Sequence, residues 1–171
     1  MRYLIAGLLI SSISLPSFAV DGYKSIKFGM TVEQVKNTKL CNFERETALN
    51  PVISMVACSN LSFSGHVTTA RSFFISGKLA RFSIDLANEE QGGEVVRGLS
   101  RKYGADGGTK WIPISGNEKA LDAYFDKGTI IQRTVLDTKS GEPTSGSLIY
   151  TIANYDDLIK LESSKVDSND L

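Results

Sequence analysis

A chain of 171 residues, 42% apolar and 22% charged, is long enough to bury its own core and too apolar to stay disordered. Nineteen Lys and Arg balance nineteen Asp and Glu, which excludes the broad positive field that captures nucleic acid or an anionic membrane. Two cysteines and a single histidine offer little from which to build a metal centre.

The first nineteen residues read as a bacterial secretory leader. Met1-Arg2-Tyr3 places one positive charge ahead of the apolar run 4–10, which extends to Leu15. Pro16 breaks the run, and Ser17-Phe18-Ala19 puts small residues three and one positions before a cut. Cleavage is expected between Ala19 and Val20. The apolar stretch is well short of the roughly 20 residues a spanning helix needs. No cysteine stands near the cut to carry a lipid, so no stable membrane anchor is expected. About 150 residues remain, the size of one domain, expected over 20–162 with a frayed polar tail over 163–171. The expected location is periplasmic or secreted. In such an oxidising compartment Cys41 and Cys58 are most simply one disulfide, with a metal site or a reactive thiol as the alternatives.

Along the mature chain, Thr31 and Gln34 have the spacing of a capping box and open a short helix over 32–36, with Met30, Val32 and Val35 expected to be buried. Residues 43–51 read as loop and 52–58 as a strand, so a Cys41–Cys58 bond would pin the first helix to the sheet. Segments 70–75 and 78–86 flank Ser76-Gly77 and predict a β-hairpin. In its second arm Ala80, Phe82, Ile84 and Leu86 alternate with Arg81, Ser83 and Asp85, the period of a sheet covered on one face and wet on the other. Asn88 caps a helix with Glu89 and Glu90 in its first turn, Val95, Val96, Leu99 and Tyr103 on one face, and Gly104 at its end. Trp111-Ile112-Pro113 is expected as an edge strand, since proline cannot donate to a central ladder. Segments 121–125 and 129–136 predict a second hairpin about Asp126-Lys127-Gly128. A loop over 138–147, a strand over 148–152 and a closing helix over 155–161 complete the reading.

Few side chains point to chemistry. His66, the one imidazole, lacks a nucleophile elbow and a carboxylate at suggestive spacing. Glu89-Glu90 diverge by about 100° on a helix, so they cannot flank one bond. The glycine-rich stretch 104–108 lacks the lysine of a phosphate loop. Trp111 with Ile112 is a candidate anchor for a partner, because tryptophan is enriched at binding hot spots. Arg71 and Arg81, on the face expected to be wet, form a second candidate contact surface.

The segment Lys27-Phe28-Gly29-Met30-Thr31-Val32-Glu33-Gln34-Val35 resembles a helix opening of small bacterial envelope proteins of the β-lactamase-inhibitor-like and SmpA/OmlA-like group. Gly77-Lys78-Leu79, then Leu99, Lys102-Tyr103-Gly104 and Trp111, are similar to the layout of secreted proteins of that kind. The resemblance implies helices packed on one face of an antiparallel sheet, and action by protein binding. The chain lacks the lipidated cysteine of the assembly lipoproteins and the second motif copy of the tandem inhibitors, so neither a membrane tether nor a β-lactamase target carries over.

The fold expected is therefore α+β, an antiparallel sheet with helices packed on one face. The function expected is that of an exported protein-binding module, an inhibitor of an envelope enzyme or an envelope assembly factor, whose partner is another envelope protein. No catalytic residue, metal ligand or cofactor is assigned. The alternatives are a secreted hydrolase built on carboxylates and His66, and a small-ligand-binding envelope protein.

Overall fold

In the computed structural model, which describes residues 19–105, 107–114 and 116–169, two antiparallel meanders join through their last strands. Apart from Ala19, the expected leader lies outside the described residues. A small ribbon of β1 (Gly22–Tyr23) and β2 (Ile26–Lys27) comes first, then α1 (Val32–Asn37). The first meander is β3 (Thr47–Ala48), β4 (Ile53–Phe63), β5 (His66–Ile75) and β6 (Lys78–Leu86). Helix α2 (Glu89–Tyr103) crosses to the second: β7 (Thr109–Pro113), β8 (Glu118–Phe125), β9 (Ile130–Asp137) and β10 (Pro143–Thr151). Helix α3 (Tyr155–Asn169) closes the chain. Pairing of β6 with β10 makes one eight-stranded sheet in the order β3-β4-β5-β6-β10-β9-β8-β7.

This corrects the expected α+β class: the protein is mostly β, with three short helices among the described residues around a large antiparallel sheet. The strands outrun their sequence signal because their ends are polar on both sides. Ser59, Asn60 and Ser62 extend β4, while Thr144, Ser145 and Ser147 begin β10 in a segment expected to be loop. Backbone pairing satisfies the main chain there without an apolar face to mark it.

The helices also divide between the two faces. Val35 of α1, Leu99 of α2 and Tyr23 of β1 pack with Phe82, Ile84, Leu86 and Leu148 in the main core. On the opposite face, α3 sets Tyr155, Leu158 and Ile159 against Ile53, Ile75 and Ala80 in a second, smaller cluster. The expected register of β6 holds for Phe82 and Ile84, both fully buried. Ala80 departs from it. A bulge between Phe73 and Phe74 gives Leu79 to the main core and leaves Ala80 beneath α3. Ser83, expected outside, points away from the main core yet is only 9% exposed.

Local signals set the helix starts. The Thr31 hydroxyl accepts from the Gln34 N–H at 3.3 Å, and Gln34 Oε1 accepts from the Thr31 N–H at 2.9 Å. Val35 of that helix is buried, whereas Met30 and Val32 lie at the core's margin. Asn88 accepts from the Gln91 N–H at 2.9 Å, and Gly104, at φ +80°, ends α2. Helix α3 continues to Asn169, past the expected 155–161. Glu162 accepts from Ser76 Oγ at 2.9 Å and pairs with Lys165 at 2.6 Å, which ties its later turns to the β5–β6 turn.

Cys41 and Cys58 form a disulfide, with their Cα atoms 6.2 Å apart. Cys58 lies within β4 and is completely buried, so the bond does more than hold α1. It clamps the chain after α1 along the outer edge of β4. Phe43 bridges Cys58, the Glu44 N–H donates to the Ala57 carbonyl at 2.8 Å, and β3 pairs with Ser54 and Met55. An edge that would otherwise invite another strand is thereby covered. Cys41→Ser and Cys58→Ser should each cost about 3 kcal/mol in urea unfolding, and the double variant no more than either alone. Additive losses would show that each sulfur acts separately through packing.

Candidate functional site

The sheet face opposite the main core is covered by α3 only near the β5–β6 turn. Elsewhere its side chains follow from strand register. Asp85 of β6 stands beside Ser147 of β10, Ser147 beside Arg133 of β9, Arg133 beside Asp122 of β8, and Asp122 beside Lys110 of β7. A polar stripe of alternating charge therefore crosses five strands. Arg71 of β5 and Ser83 of β6 form part of the neighbouring row, and Arg71 reaches back to the stripe, its Nη1 2.5 Å from Asp85 Oδ1.

The centre of the stripe is firmly held. Arg133 donates from Nε to Asp122 Oδ1 and from Nη2 to Asp122 Oδ2, both at 2.7 Å. The Asp122 side chain is 1% exposed and that of Arg133 29% exposed, so this is no surface pair. The hydrogen bonds to Asp122 hold the Arg133 guanidinium above its ordinary pKa. Burial, assisted by the Asp122 charge, raises the Tyr124 phenol beside it.

Arg81 is held differently. Its guanidinium carbon lies 3.5 Å from the centre of the Tyr155 ring, and its Nε donates to Thr151 Oγ1 at 3.3 Å. Among the described residues no carboxylate forms an ion pair with it. Burial lowers its pKa, against the opposing effects of Tyr155 and Asp156. Burial raises the Tyr155 phenol, against the opposing charge of Arg81.

The expected partner-binding residues do not converge. Arg71 and Arg81 share the open face, and strand alternation puts Ile112 on that side as well. Trp111 points to the other face, at the outer margin of the sheet, opposite Leu121 of β8. It is 52% exposed, with the Lys119 ammonium 4.4 Å from its ring. An open groove of about 1200 Å³ curls around the ends of β6 and β10, from Arg71, Asp85 and Ser147 to Gly92, Gln132 and Gly146 on the α2 side.

His66 sits exposed at the β4–β5 turn, opposite Phe63. Glu89 and Glu90 are exposed in the first turn of α2. No cluster of three His, Cys, Asp or Glu suited to a metal ion occurs among the described residues. Sequence reading missed the Asp122–Arg133 pair, although the signal was present. Counting outward from the turn about Asp126-Lys127-Gly128 sets 125 beside 130 and hence 122 beside 133, two opposite charges inside apolar runs.

A family model described as "Uncharacterised protein" matches residues 23–169. The chain belongs to that family. It is 28% identical over 166 residues to an uncharacterised protein of Haemophilus influenzae, covering 94% of this chain and 93% of the relative. It is 29% identical over 164 residues to an uncharacterised protein of Pasteurella multocida, covering 80% of each. No solved structure matches. These relatives give no support to the expected kinship with β-lactamase-inhibitor-like or SmpA/OmlA-like proteins.

Proposed function

We propose that this protein works outside the cytoplasm as a binding module that docks another envelope protein on its open sheet face. The observation that carries the reading is the stripe Asp85–Ser147–Arg133–Asp122–Lys110, which lays alternating charge across five paired strands. Charges fixed on a rigid sheet set register and partner choice more than raw affinity. The stripe is held by backbone ladders and by the Asp122–Arg133 fork, so little ordering is required on contact. Arg71 and Lys110 stand toward its two ends as cations that a complementary acidic surface can reach.

Export is supported by the leader in the sequence and by the Cys41–Cys58 disulfide, a bond that persists in oxidising compartments. No described helix is long and apolar enough to cross a membrane.

The test is affinity capture from an envelope fraction with wild type, the Arg71→Glu/Lys110→Glu double variant and Trp111→Ala. The double variant should lose at least tenfold of the captured partner, and its loss should shrink as salt rises. Trp111→Ala, on the other face, should capture as wild type does. The reverse pattern would move the interface to the α2 side and overturn the proposal.

A further inference from the structure

We infer that cleavage between Ala19 and Val20 creates an ion pair, in which the freed α-ammonium of Val20 is bound by the buried carboxylate of Asp126. The inference rests on the export reading, which supplies the cut, and on a long-range contact that no local pattern predicts. The Val20 nitrogen lies 2.6 Å from Asp126 Oδ2, across 106 positions of sequence. The residue that the leader's small-residue pattern places first in the mature chain is thus the one whose nitrogen meets a carboxylate.

Asp126 needs such a partner. It is 9% exposed, and its Oδ2 also accepts from Thr129 Oγ1 at 2.8 Å. No ion pair among the described residues includes it. A buried carboxylate with only neutral donors is poorly compensated for the hydration it has lost. In the uncleaved chain Val20 offers one amide N–H. Hydrolysis of the Ala19–Val20 bond by a leader-cleaving protease consumes one water. Ala19 leaves with the new carboxylate, and the Val20 nitrogen takes up a proton. The resulting ammonium, with a pKa near 8 in the absence of a partner, is mostly protonated and positively charged at neutral pH.

Both partners are fixed in place. The turn after β8 takes Asp126 and Lys127 through φ +47° and +58°, a left-handed path that aspartate tolerates better than most residues. On the other side, Tyr23 stacks on Phe82 at 5.4 Å, and the Phe28 N–H donates to the Asp21 carbonyl at 2.9 Å. These contacts anchor the segment that carries Val20. Asp21, the neighbouring carboxylate, is already paired with Lys27 at 2.7 Å, which leaves Asp126 to meet the terminus.

The test expresses the full chain with its leader in four forms: wild type, an insertion of two glycines between Ala19 and Val20, Asp126→Asn, and both changes together. The insertion keeps the leader and Asp126 but moves the new ammonium away from the carboxylate. Mass measurement of exported wild type should give a chain beginning at Val20. The insertion should lower the melting temperature by about 5 °C, and by less than about 1 °C when Asp126→Asn is already present. Equal losses in both backgrounds, or a first residue other than Val20, would overturn the ion pair. Retention of Met1 would overturn the export reading with it, whereas a correct cut with additive losses would overturn the ion pair alone.

Discussion

Phe82→Ala should cost about 3–5 kcal/mol in urea unfolding, and Ser83→Ala less than about 1. Phe82 is completely buried at the centre of the sheet, opposite Ser72 on β5 and Tyr150 on β10. Its ring stacks on Tyr23 at 5.4 Å with an interplanar angle of 16°. Three paired strands fix the walls of this site, so they cannot collapse into the space the ring leaves, and the cavity adds to the lost transfer energy. Tyr23 also loses the surface that holds β1 against the sheet. Ser83, one residue on, faces the other way. It is buried between Arg71 of β5 and Ile149 of β10, but its loss removes only one oxygen and leaves almost no cavity. Equal costs at the two positions would show that the register of β6, and the face on which the main core lies, had been misassigned.

What could be read in advance was local. The Thr31/Gln34 capping box, the Asn88 cap, the Gly104 stop and the hairpin about Ser76-Gly77 all depend on residues within a few positions of one another. At that turn Ser76 and Gly77 take φ +48° and +74°, as a tight hairpin turn requires. The Cys41–Cys58 pairing was legible for a similar reason, since two cysteines leave one choice. The join of β6 to β10 was not legible, because it links segments some sixty residues apart through backbone groups that every residue carries. The faces of α2 and α3 were hidden too. Each helix has an apolar side, but nothing in that side says which surface of the sheet it will meet. The face to which Trp111 points was not legible either. The edge strand around it was foreseen, yet its direction relative to Arg71 depends on pairing carried through six strands. The candidate surface was half legible: Arg71 and Arg81 came from alternation in the first hairpin, while Asp122 and Arg133 required the second hairpin to be counted outward from its turn.

The Asp122–Arg133 fork is expected to respond unequally to loss of its two members. Arg133→Met leaves a carboxylate at 1% exposure with, among the described residues, only the Tyr124 hydroxyl, 3.4 Å away, still directed at it. A buried charge stripped of its counter-ion in this way costs about 3–5 kcal/mol. Asp122→Asn leaves the guanidinium, but Arg133 is 29% exposed and can turn its free donors to water, so this loss should be about 1–3 kcal/mol. The pair replaced together, Asp122→Leu with Arg133→Met, should recover most of the Arg133→Met deficit, because packed apolar side chains carry no desolvation debt. Urea unfolding of the three variants and wild type measures all of this at once. Losses below about 1 kcal/mol for both single variants would mean that the fork behaves as a solvated surface pair. The apolar double variant also separates stability from recognition: it keeps the sheet and removes the middle of the charged stripe, so a folded protein that no longer captures its partner is the expected result.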